Sequence, residues 1–596
     1  MTVSDYMMNF LKEKNVDTAF AVVGGLAMHL NDALYRTPEI STVFVHHEQA
    51  AAMAADAYAR ITGKLGFAMV TAGPGVLNTI TGLVGGYVDS APMLVVSGQA
   101  NLPFAAHMSN TPIRQYGIQG INSEDFVKHG TKYFALISDP AKAAYHMEKA
   151  YYTAFEGRPG PVWVEVPLNV QRMEMPQNST YHFTAKANPF PKEETAAVCE
   201  KITHALSKAR RPLVLAGQGV RLAGVVDEFV QFLEKNNLPV VTTRLGIDLI
   251  EYKHPLYVGH PGTQGDRAAN ITIQNADVII ALGSRMSTSS VGHEPKMFGE
   301  NAEIYVVDAD TEELNKPGPN IKEALKGDLR FVMPKLLETP IDFTHNHDKW
   351  AGFCEMLKLK YPVMQTEYRE DDKVNSYYLI DMLSNMADDN AVILVDGGGS
   401  VHPVGAQGWK LKKGQRHLTS GGLATMGYWC AVLGACAANN YKHTIAITGD
   451  GTFHMNIQEL ATIRQLSKPI KIFVVNNNGY LSIRHTQRNF MDDRLFGEGP
   501  ASGLFLPSAA AVAEAYGIKA VRINTPNELE PKLAEVLAYD GPVVCEVISP
   551  EWQLIAPRVA SDRLPDGTLR QRGFDDMYPY LPEEELAACR FTEGGQ

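Results

Sequence analysis

Three residues in the C-terminal third of the chain have the chemistry of a divalent metal site. Asp450 follows the apolar run 443–448 after one glycine, and Asn477 and Gly479 follow the β-branched run 471–475. A helical pattern separates the two runs, so the segment predicts two buried parallel strands joined by a helix. The carboxyl ends of such strands meet at one edge of a sheet, which brings the three residues together. A carboxylate, an amide oxygen and a backbone carbonyl are hard oxygen ligands that suit Mg²⁺ and leave positions open for phosphates.

The turn between the first strand and the helix strengthens this interpretation. Its sequence is Gly449-Asp450-Gly451, and a glycine turn at a helix start offers free N–H groups to phosphate oxygens. The same residues could instead form an ordinary strand-to-helix turn with a hydrogen-bonding Asp, followed by an Asn-rich strand end. The turn alone does not choose between these two interpretations, so the rest of the chain must.

Composition favours an ordinary globular enzyme. A chain of 596 residues is too long for one core and predicts three or four domains. The net charge of −12 argues against general binding to nucleic acids or anionic membranes. Six scattered cysteines without CxxC spacing indicate free thiols in a reducing compartment. No signal peptide or membrane-spanning run is apparent, and we expect a cytoplasmic protein.

Strand-like and helical runs alternate through most of the chain, which predicts an α/β fold of three doubly wound parallel-sheet domains. The predicted domains cover residues 1–172, 190–340 and 370–550, and a C-terminal arm covers 551–596. A Pro-, Asn- and Thr-rich stretch marks the end of the first domain. The middle domain has strand runs that end in glycine turns, as in Rossmann-like sheets.

Glu48 is a second candidate for chemistry because it follows a predicted strand and opens the helix QAAAMAADAYAR. A structural role is the alternative, since acidic residues are favoured at helix N-termini. Further on, the run TAGPGVLN at 71–78 and the run DGGGSVH at 396–402 combine strand ends with glycines. Glycines at such positions let the backbone approach a ligand and donate N–H groups to a diphosphate.

Taken together, these motifs resemble those of thiamine diphosphate (ThDP) enzymes in the acetolactate synthase-like group, which includes acetohydroxyacid synthases and pyruvate oxidases. The sequence GDG followed by NN is similar to the ThDP signature, and GGLATMG at 421–427 is similar to the GGLGTMG of that group. The resemblance covers residues from about 2 to 550. It implies a pyrimidine-binding, a central Rossmann-like and a pyrophosphate-binding domain.

The resemblance also implies roles for individual residues. Asp450 and Asn477 would bind Mg²⁺ through their side chains, and Gly479 would bind it through its carbonyl. Glu48 would be catalytic through a hydrogen bond to the cofactor's aminopyrimidine, and Gln119 aligns with an active-site Gln. Further ThDP contacts would come from Gly24, Gly25, Gly73, Pro74, Asn78, Gly398, Ser400, His402, Ala424, Met426, Gly449, Gly451, Thr452, Tyr480 and Leu481.

The central domain resembles the branch that holds FAD in a structural role. Gly217, Gly219, Arg285 and Asp308 would be its dinucleotide contacts. Many related proteins leave this domain empty, so an empty domain is the alternative.

Two departures from the family bear on the substrate. Ser289 stands where the family's GARFDDR run has a second Arg that grips the carboxylate of an acceptor keto acid, and Ser cannot replace a bidentate Arg contact. Thr486 stands where the family has a Trp that shapes the acceptor pocket. In the arm, Trp552 and Arg558 would face substrate if the arm is a lid. A packed arm at a subunit interface is the alternative.

The implied function is decarboxylation of a 2-oxo acid, pyruvate above all, and transfer of the acyl-anion equivalent to a carbonyl acceptor. The two departures favour a ketone or aldehyde acceptor, for example a keto-sugar, over a second 2-oxo acid. The alternatives are acetolactate synthase proper and, in another class, a non-catalytic ThDP-fold scaffold. By resemblance the cofactor lies between two subunits, so we expect a homodimer at minimum and consider a homotetramer.

Overall fold

The computed structural model describes residues 1–109, 111–176, 180–185 and 190–592. Three parallel sheets of six strands dominate it, and helices flank each sheet. The predicted fold class is therefore confirmed. Half of the eighteen strands in these sheets are buried along their whole length, as parallel strands covered on both faces require. The exact domain boundaries stay predictions.

The first sheet has the strand order β2-β1-β3-β4-β6-β5. Its strands are β1 Thr18–Ala21, β2 Ser41–Phe44, β3 Gly66–Val70, β4 Met93–Gln99, β5 Tyr133–Leu136 and β6 Val162–Pro167. Its helices are α1 Val3–Glu13, α2 Met28–Tyr35, α3 Glu48–Thr62, α4 Pro74–Val88, α5 Glu124–Val127, α6 Ala143–Phe155 and α7 Leu168–Gln171.

The second sheet has the order β12-β11-β10-β7-β8-β9. Its strands are β7 Pro212–Ala216, β8 Val240–Thr242, β9 Tyr257–Gly259, β10 Val278–Leu282, β11 Glu303–Asp308 and β12 Ile321–Lys326. The helices of this region are α8 Lys192–Lys208, α9 Gly219–Leu222, α10 Val226–Lys235, α11 Arg267–Asn275, α12 Thr288–Val291, α13 Thr311–Asn315, α14 Leu329–Glu338 and the connecting α15 Asp348–Lys360.

The third sheet has the order β14-β13-β15-β16-β18-β17. Its strands are β13 Val392–Val395, β14 Arg416–Thr419, β15 Thr444–Gly449, β16 Ile470–Asn476, β17 Lys519–Ile523 and β18 Val543–Ile548. Its helices are α16 Ser376–Met386, α17 Val401–Gly408, α18 Val432–Ala438, α19 Asp450–Phe453, α20 Glu459–Leu466, α21 Leu481–Phe490, α22 Ala509–Ala515 and α23 Leu529–Ala538.

The connection between β15 and β16 differs in detail from the sequence prediction. The sequence predicts one helix from Met455 to Leu466, but the structure has α19, then a single 3-10 turn over His454–Asn456, and then α20. The first helical turn therefore begins at Asp450 itself. This places the residues that follow β15 directly at the carboxyl edge of the sheet.

Helix α3 joins the first and third sheets into one core. Its central residues are alanines buried on every side, which is the pattern of a helix surrounded by protein. It packs on α18, where a Cβ built at Gly434 would lie only 1.8 Å from the carbonyl oxygen of Ala54. Small residues on both helices thus allow their backbones to approach closely.

From Arg558 onward, the described part of the C-terminal arm packs on the central region. It contains β19 Arg558–Val559, which pairs with β22 Met577–Tyr578, β20 Ser561–Arg563, which pairs with β21 Leu569–Gln571, and α24 Glu583–Ala588. Phe574 is buried against Phe298, with ring centroids 5.5 Å apart. The arm beyond β19 is therefore part of the central region's core. Within the described ranges, no helix is both long and apolar enough to cross a membrane.

Candidate active site

Glu48 lies in a buried cluster at the carboxyl edge of the first sheet. It is the first residue of α3 and is 8% exposed. Its Oε2 accepts a hydrogen bond from Nδ2 of Asn78, at 3.0 Å. Its Oε1 would lie 3.4 Å from a Cβ built at Gly75. The backbone approaches this carboxylate closely because position 75 has no side chain.

The segment that carries Gln119 lies beside the same glycine turn. Gly73 has a φ of +60°, and a Cβ there would lie 2.9 Å from Cβ of Gln119. Gln119 also has a positive φ of 60°, which is strained for a residue with a side chain. Pro74 begins α4 directly after the turn. Among the two other glycines predicted here, a Cβ at Gly24 would clash with Thr71, whereas Gly25 faces open space.

A second cluster lies at the carboxyl edge of the third sheet, around an open cavity of about 710 Å³. The three predicted metal ligands and eight of the predicted ThDP contacts line it together. They are Gly398, Ser400, Met426, Gly449, Asp450, Gly451, Thr452, Asn477, Gly479, Tyr480 and Leu481. The turns after β13, β15 and β16 thus meet in one cavity, as a parallel sheet requires. The sequence analysis missed Gly399, Val401, Met455, Ser482 and Ile483, which also line it.

Asp450 is held at this cavity by backbone donors. Its Oδ1 accepts the N–H of Gly451 at 2.8 Å, and its Oδ2 accepts the N–H of Gly479 at 2.9 Å. Burial raises the pKa of Asp450 to about 6, against the opposing effect of these N–H groups. A bound cation would stabilise the charged form of this buried carboxylate.

Asn477 supplies the clearest sign that this site suits a cation. Its Oδ1 is buried and has no hydrogen-bond partner, although buried oxygens in proteins almost always have one. Asn477 and Asp450 line the same cavity. An unpartnered amide oxygen beside a buried carboxylate is a donor set that fits Mg²⁺.

A buried ion pair fixes the loop that carries Asn477, and the sequence analysis did not assign it. Nε of Arg484 donates to Oε2 of Glu498 at 2.6 Å, and both side chains are about 5% exposed or less. The guanidinium also donates to the carbonyls of Asn477 at 3.2 Å and Asn478 at 2.9 Å. The backbone carbonyl of Glu498 accepts the N–H of Tyr480 at 2.7 Å.

Two third-domain residues predicted to contact the cofactor, His402 and Ala424, do not line this cavity. The ring of His402 is buried, and its pKa is well below the usual value because of burial and then of nearby Arg244, His417 and His260. His402 is the second residue of α17. Ala424 has a positive φ of 47° and packs against Gly397. The resemblance gives Ala424 a contact through its backbone carbonyl.

Comparisons with known proteins agree with this geometry. Residues 1–124 match the family described as Thiamine pyrophosphate enzyme, N-terminal TPP binding domain. Residues 199–336 match its central domain, and residues 397–547 match its C-terminal TPP binding domain. The chain belongs to the thiamine diphosphate enzyme family. TPP and ThDP are names of the same cofactor.

Curated relatives place this ThDP enzyme in the acetolactate synthase-like group. The acetolactate synthase large subunit of Lactococcus lactis is 31% identical over 566 residues, which cover 93% of this chain and 94% of that protein. The isozyme 2 large subunit of Escherichia coli is 30% identical, over 95% of this chain and 99% of that protein. The chloroplastic acetolactate synthase of Arabidopsis thaliana is 28% identical, over 94% and 83%.

The ThDP enzyme has a second open cavity in its central region. Gly219, Arg285 and Asp308 line it, as predicted for dinucleotide contacts. Gly217 does not line the cavity. A Cβ built at Gly217 would lie 2.2 Å from the carbonyl oxygen of Gly283, so the absence of a side chain lets the end of β7 approach the turn after β10. Burial raises the pKa of Asp308.

The first domain also contributes to the central cavity, which the sequence analysis missed. Arg158 lines it and forms ion pairs with Asp310 at 3.1 Å and Glu313 at 2.8 Å. Arg244 lines it too, and its buried Nε has no partner. Long-range contacts of this kind have no signature in local sequence patterns.

The four predicted substrate residues lie in different places within one chain. Ser289 lines the central cavity, and its hydroxyl is 2.9 Å from that of Ser287. Thr486, on α21, lines an open depression formed by α21 and the residues that follow it.

The two arm residues flank His485 rather than the cavity of the third domain. The Trp552 ring centroid is 5.9 Å from that of His485 and 3.4 Å from the guanidinium carbon of Arg488. Burial lowers the pKa of His485, and the positive charge of Arg558 lowers it further. Among the described residues 551–592, none lines the Asp450 cavity. The lid interpretation therefore has no support in a single chain.

Glu48 and Asp450 belong to separate clusters of the same chain. The residues that line the Asp450 cavity all lie between Gly398 and Ile483, so the described part of the first domain contributes none of them. Glu48 instead contacts Asn78 of its own domain. The sequence resemblance anticipates such a separation, because it places the cofactor between two subunits.

Proposed function

We propose that this ThDP enzyme is a Mg²⁺-dependent carboligase. It would decarboxylate a 2-oxo acid, pyruvate above all, and pass the acyl unit to a ketone or aldehyde. The observation that carries the cofactor assignment is the unpartnered Oδ1 of Asn477 beside the buried Asp450 carboxylate. Mg²⁺ would be held by these two side chains and the carbonyl of Gly479, with the glycine turns facing the diphosphate.

The bound cofactor supplies the electron sink on which a 2-oxo acid loses carbon dioxide. The protein's own contribution begins with Glu48. Its carboxylate is buried, oriented by Asn78 and able to hold a hydrogen bond to a ring nitrogen. Gln119, on its strained segment, would offer its side-chain amide to the substrate. Met426 supplies an apolar contact in the third-domain cavity, where exclusion of water strengthens each polar interaction.

A homodimer would complete the site. Exposed apolar residues surround each half-site: Tyr116 and Ile118 are 61% and 85% exposed beside Gln119. Ile483 and Phe496 are 44% and 83% exposed beside the third-domain cavity and its neighbouring depression. Apolar surfaces of this kind mark interfaces. Two copies could bury both and place Glu48 of one over Asp450 of the other, and two such dimers could form a tetramer.

FAD is the proposed occupant of the central cavity. Gly219, Arg285 and Asp308, the residues expected to contact a dinucleotide, line the cavity together. The role would be structural. Purified protein should be yellow and show flavin absorbance, whereas colourless protein that takes up no FAD would contradict this assignment.

The acceptor follows from Ser289 and Thr486. Neither side chain can grip a carboxylate as Arg does or fill a pocket as Trp does. A wider acceptor without a carboxylate, such as a keto-sugar, fits these positions. Acetolactate synthase proper is the second candidate, and the names of the curated relatives favour it.

One experiment separates the two candidates. Products from pyruvate alone, and from pyruvate with a panel of ketones and aldehydes, are identified by mass spectrometry. We expect a mixed product to form faster than acetolactate. Ser289→Arg should raise acetolactate formation, and Thr288→Arg is the matched control because Thr288 does not line the cavity. Acetolactate as the fastest product of the unaltered protein would refute the acceptor proposal.

A further inference from the structure

Asp89 lies where the central cavity meets the segment that leads into the third-domain cavity. It follows α4 directly and is 3% exposed. Its Oδ1 accepts the N–H of Gly422 at 2.7 Å, and its Oδ2 accepts the N–H of Gly421 at 2.8 Å. Both glycines open the segment 421–427, which includes Met426 of the third-domain cavity. One carboxylate of the first domain therefore fixes the start of a cofactor-contacting segment of the third domain.

This contact is tight and specific. A Cβ built at Gly422 would lie 2.9 Å from Cβ of Val88 and 3.0 Å from Oδ1 of Asp89. Any larger residue would push the segment away from the carboxylate. At the other end of the segment, the N–H of Tyr428 donates to Oδ1 of the buried Asp396 at 3.2 Å. Two buried carboxylates thus hold the segment at its two ends.

Two arginines flank the Asp89 carboxylate. On one side, Nη1 of the buried Arg60 is 3.8 Å from Oδ2 of Asp89 and donates to the carbonyl of Thr419 at 2.9 Å. On the other side, Nη2 of Arg285 is 3.9 Å from Oδ1 of Asp89. Asp89 and Arg285 both line the central cavity. The Asp89 carboxylate therefore contacts Arg285, which lines the central cavity, and also the backbone of Gly421 and Gly422, which leads to Met426.

We propose that Asp89 is a positioning residue that couples the occupant of the central cavity to ThDP binding. This proposal rests on the proposed function, in which FAD fills that cavity. An occupant that fixes Arg285 and covers Asp89 also fixes the two N–H groups of Gly421 and Gly422. The segment is then ordered before ThDP arrives, so less ordering entropy is lost on binding. By linkage, ThDP raises the affinity for FAD by the same factor.

The test measures ThDP dissociation constants in Mg²⁺ by titration calorimetry, with and without saturating FAD. In the unaltered protein, FAD should lower the ThDP dissociation constant about fivefold or more. Asp89→Asn should raise that constant about tenfold, because the amide NH₂ cannot accept from a glycine N–H. FAD should no longer change it in this variant. Asp32→Asn, at an exposed ion pair on α2, is the matched control and should behave like the unaltered protein.

The outcomes distinguish the two proposals. If FAD binds but leaves the ThDP constant of the unaltered protein unchanged, the coupling is refuted. If Asp89→Asn binds ThDP as the unaltered protein does, the positioning role is refuted. If no FAD binds, the assignment of FAD to the central cavity is wrong. The effect of Asp89→Asn on the ThDP dissociation constant still tests whether Asp89 positions the segment 421–427.

A measurement on the unaltered protein avoids dependence on the folding of a variant. Hydrogen–deuterium exchange of the peptide 420–427 should slow when FAD binds. Unchanged exchange in this peptide, with FAD bound, would overturn the coupling.

Discussion

Arg484 offers the sharpest test of how the metal-binding loop is built. Its guanidinium pairs with Glu498 at 2.6 Å, with side chains 5% and 4% exposed. It also donates to the carbonyls of Asn477, Asn478 and Glu551. Arg484→Met keeps the apolar stem but leaves the Glu498 carboxylate buried without its counter-ion. Breaking one side of a buried pair costs about 3–5 kcal/mol.

The assay is thermal unfolding followed by near-ultraviolet circular dichroism, in chelator so that bound metal does not mask the effect. A loss of this size should lower the melting temperature of the third region by about 6–20 °C. The Mg²⁺ concentration needed for ThDP binding should also rise, because the Asn477 carbonyl loses its donor. Adding Glu498→Gln to Arg484→Met should recover part of the loss, since it removes the orphaned charge.

Arg488 is the matched control on the same helix. It is 46% exposed and pairs with Asp493 at 3.2 Å. Arg488→Met should therefore cost less than about 1 kcal/mol. If Arg484→Met lowers the melting temperature no more than Arg488→Met, the buried pair does not organise the loop and the reasoning is wrong.

Three further predictions concern the two half-sites and the first domain. Glu48→Gln should lower kcat by about 10²–10⁴-fold while ThDP still binds; steady-state kinetics with calorimetry checks this, and unchanged turnover would contradict it. Asn477→Ala should weaken Mg²⁺ binding at least about tenfold, because a lost contact of ~1.4 kcal/mol corresponds to that factor. The Mg²⁺ dependence of ThDP binding measures this change. Glu165 is fully buried, and burial raises its pKa from 4.5 to about 7. The folded state therefore binds this proton more tightly than the unfolded state, and the free energy of unfolding should fall by up to about 3 kcal/mol as the pH rises from about 4.5 to about 7. Urea unfolding at pH 5 and pH 7.5 should show a weaker pH dependence for Glu165→Gln, and an identical dependence would refute this cause.

Local sequence patterns predict the parts of the site that each lie on one strand-turn-helix unit. Asp450 and Asn477 follow consecutive parallel strands, so the topology alone places them at one edge of the sheet. Glu48 and Asn78 likewise follow two strands of the first sheet and share a hydrogen bond. The continuous apolar runs are sufficient to predict the three sheets, because parallel strands are buried on both faces.

Contacts between distant segments could not be predicted in this way. Arg158 reaches the central cavity across more than a hundred residues of sequence, and no local pattern marks that contact. Asp89 meets Gly421 and Gly422 only because two domains pack together. The contacts of the arm with the central region depend on packing that its weak periodicity does not reveal.

The most direct test of the account is a crystal structure of the protein with Mg²⁺ and ThDP. The metal should lie on Oδ of Asp450, Oδ1 of Asn477 and the carbonyl of Gly479, with the diphosphate in the same cavity. The aminopyrimidine should contact Glu48 of a second copy of the chain. A metal bound elsewhere, or a cofactor whose ring lies away from every Glu48, would contradict the central claim.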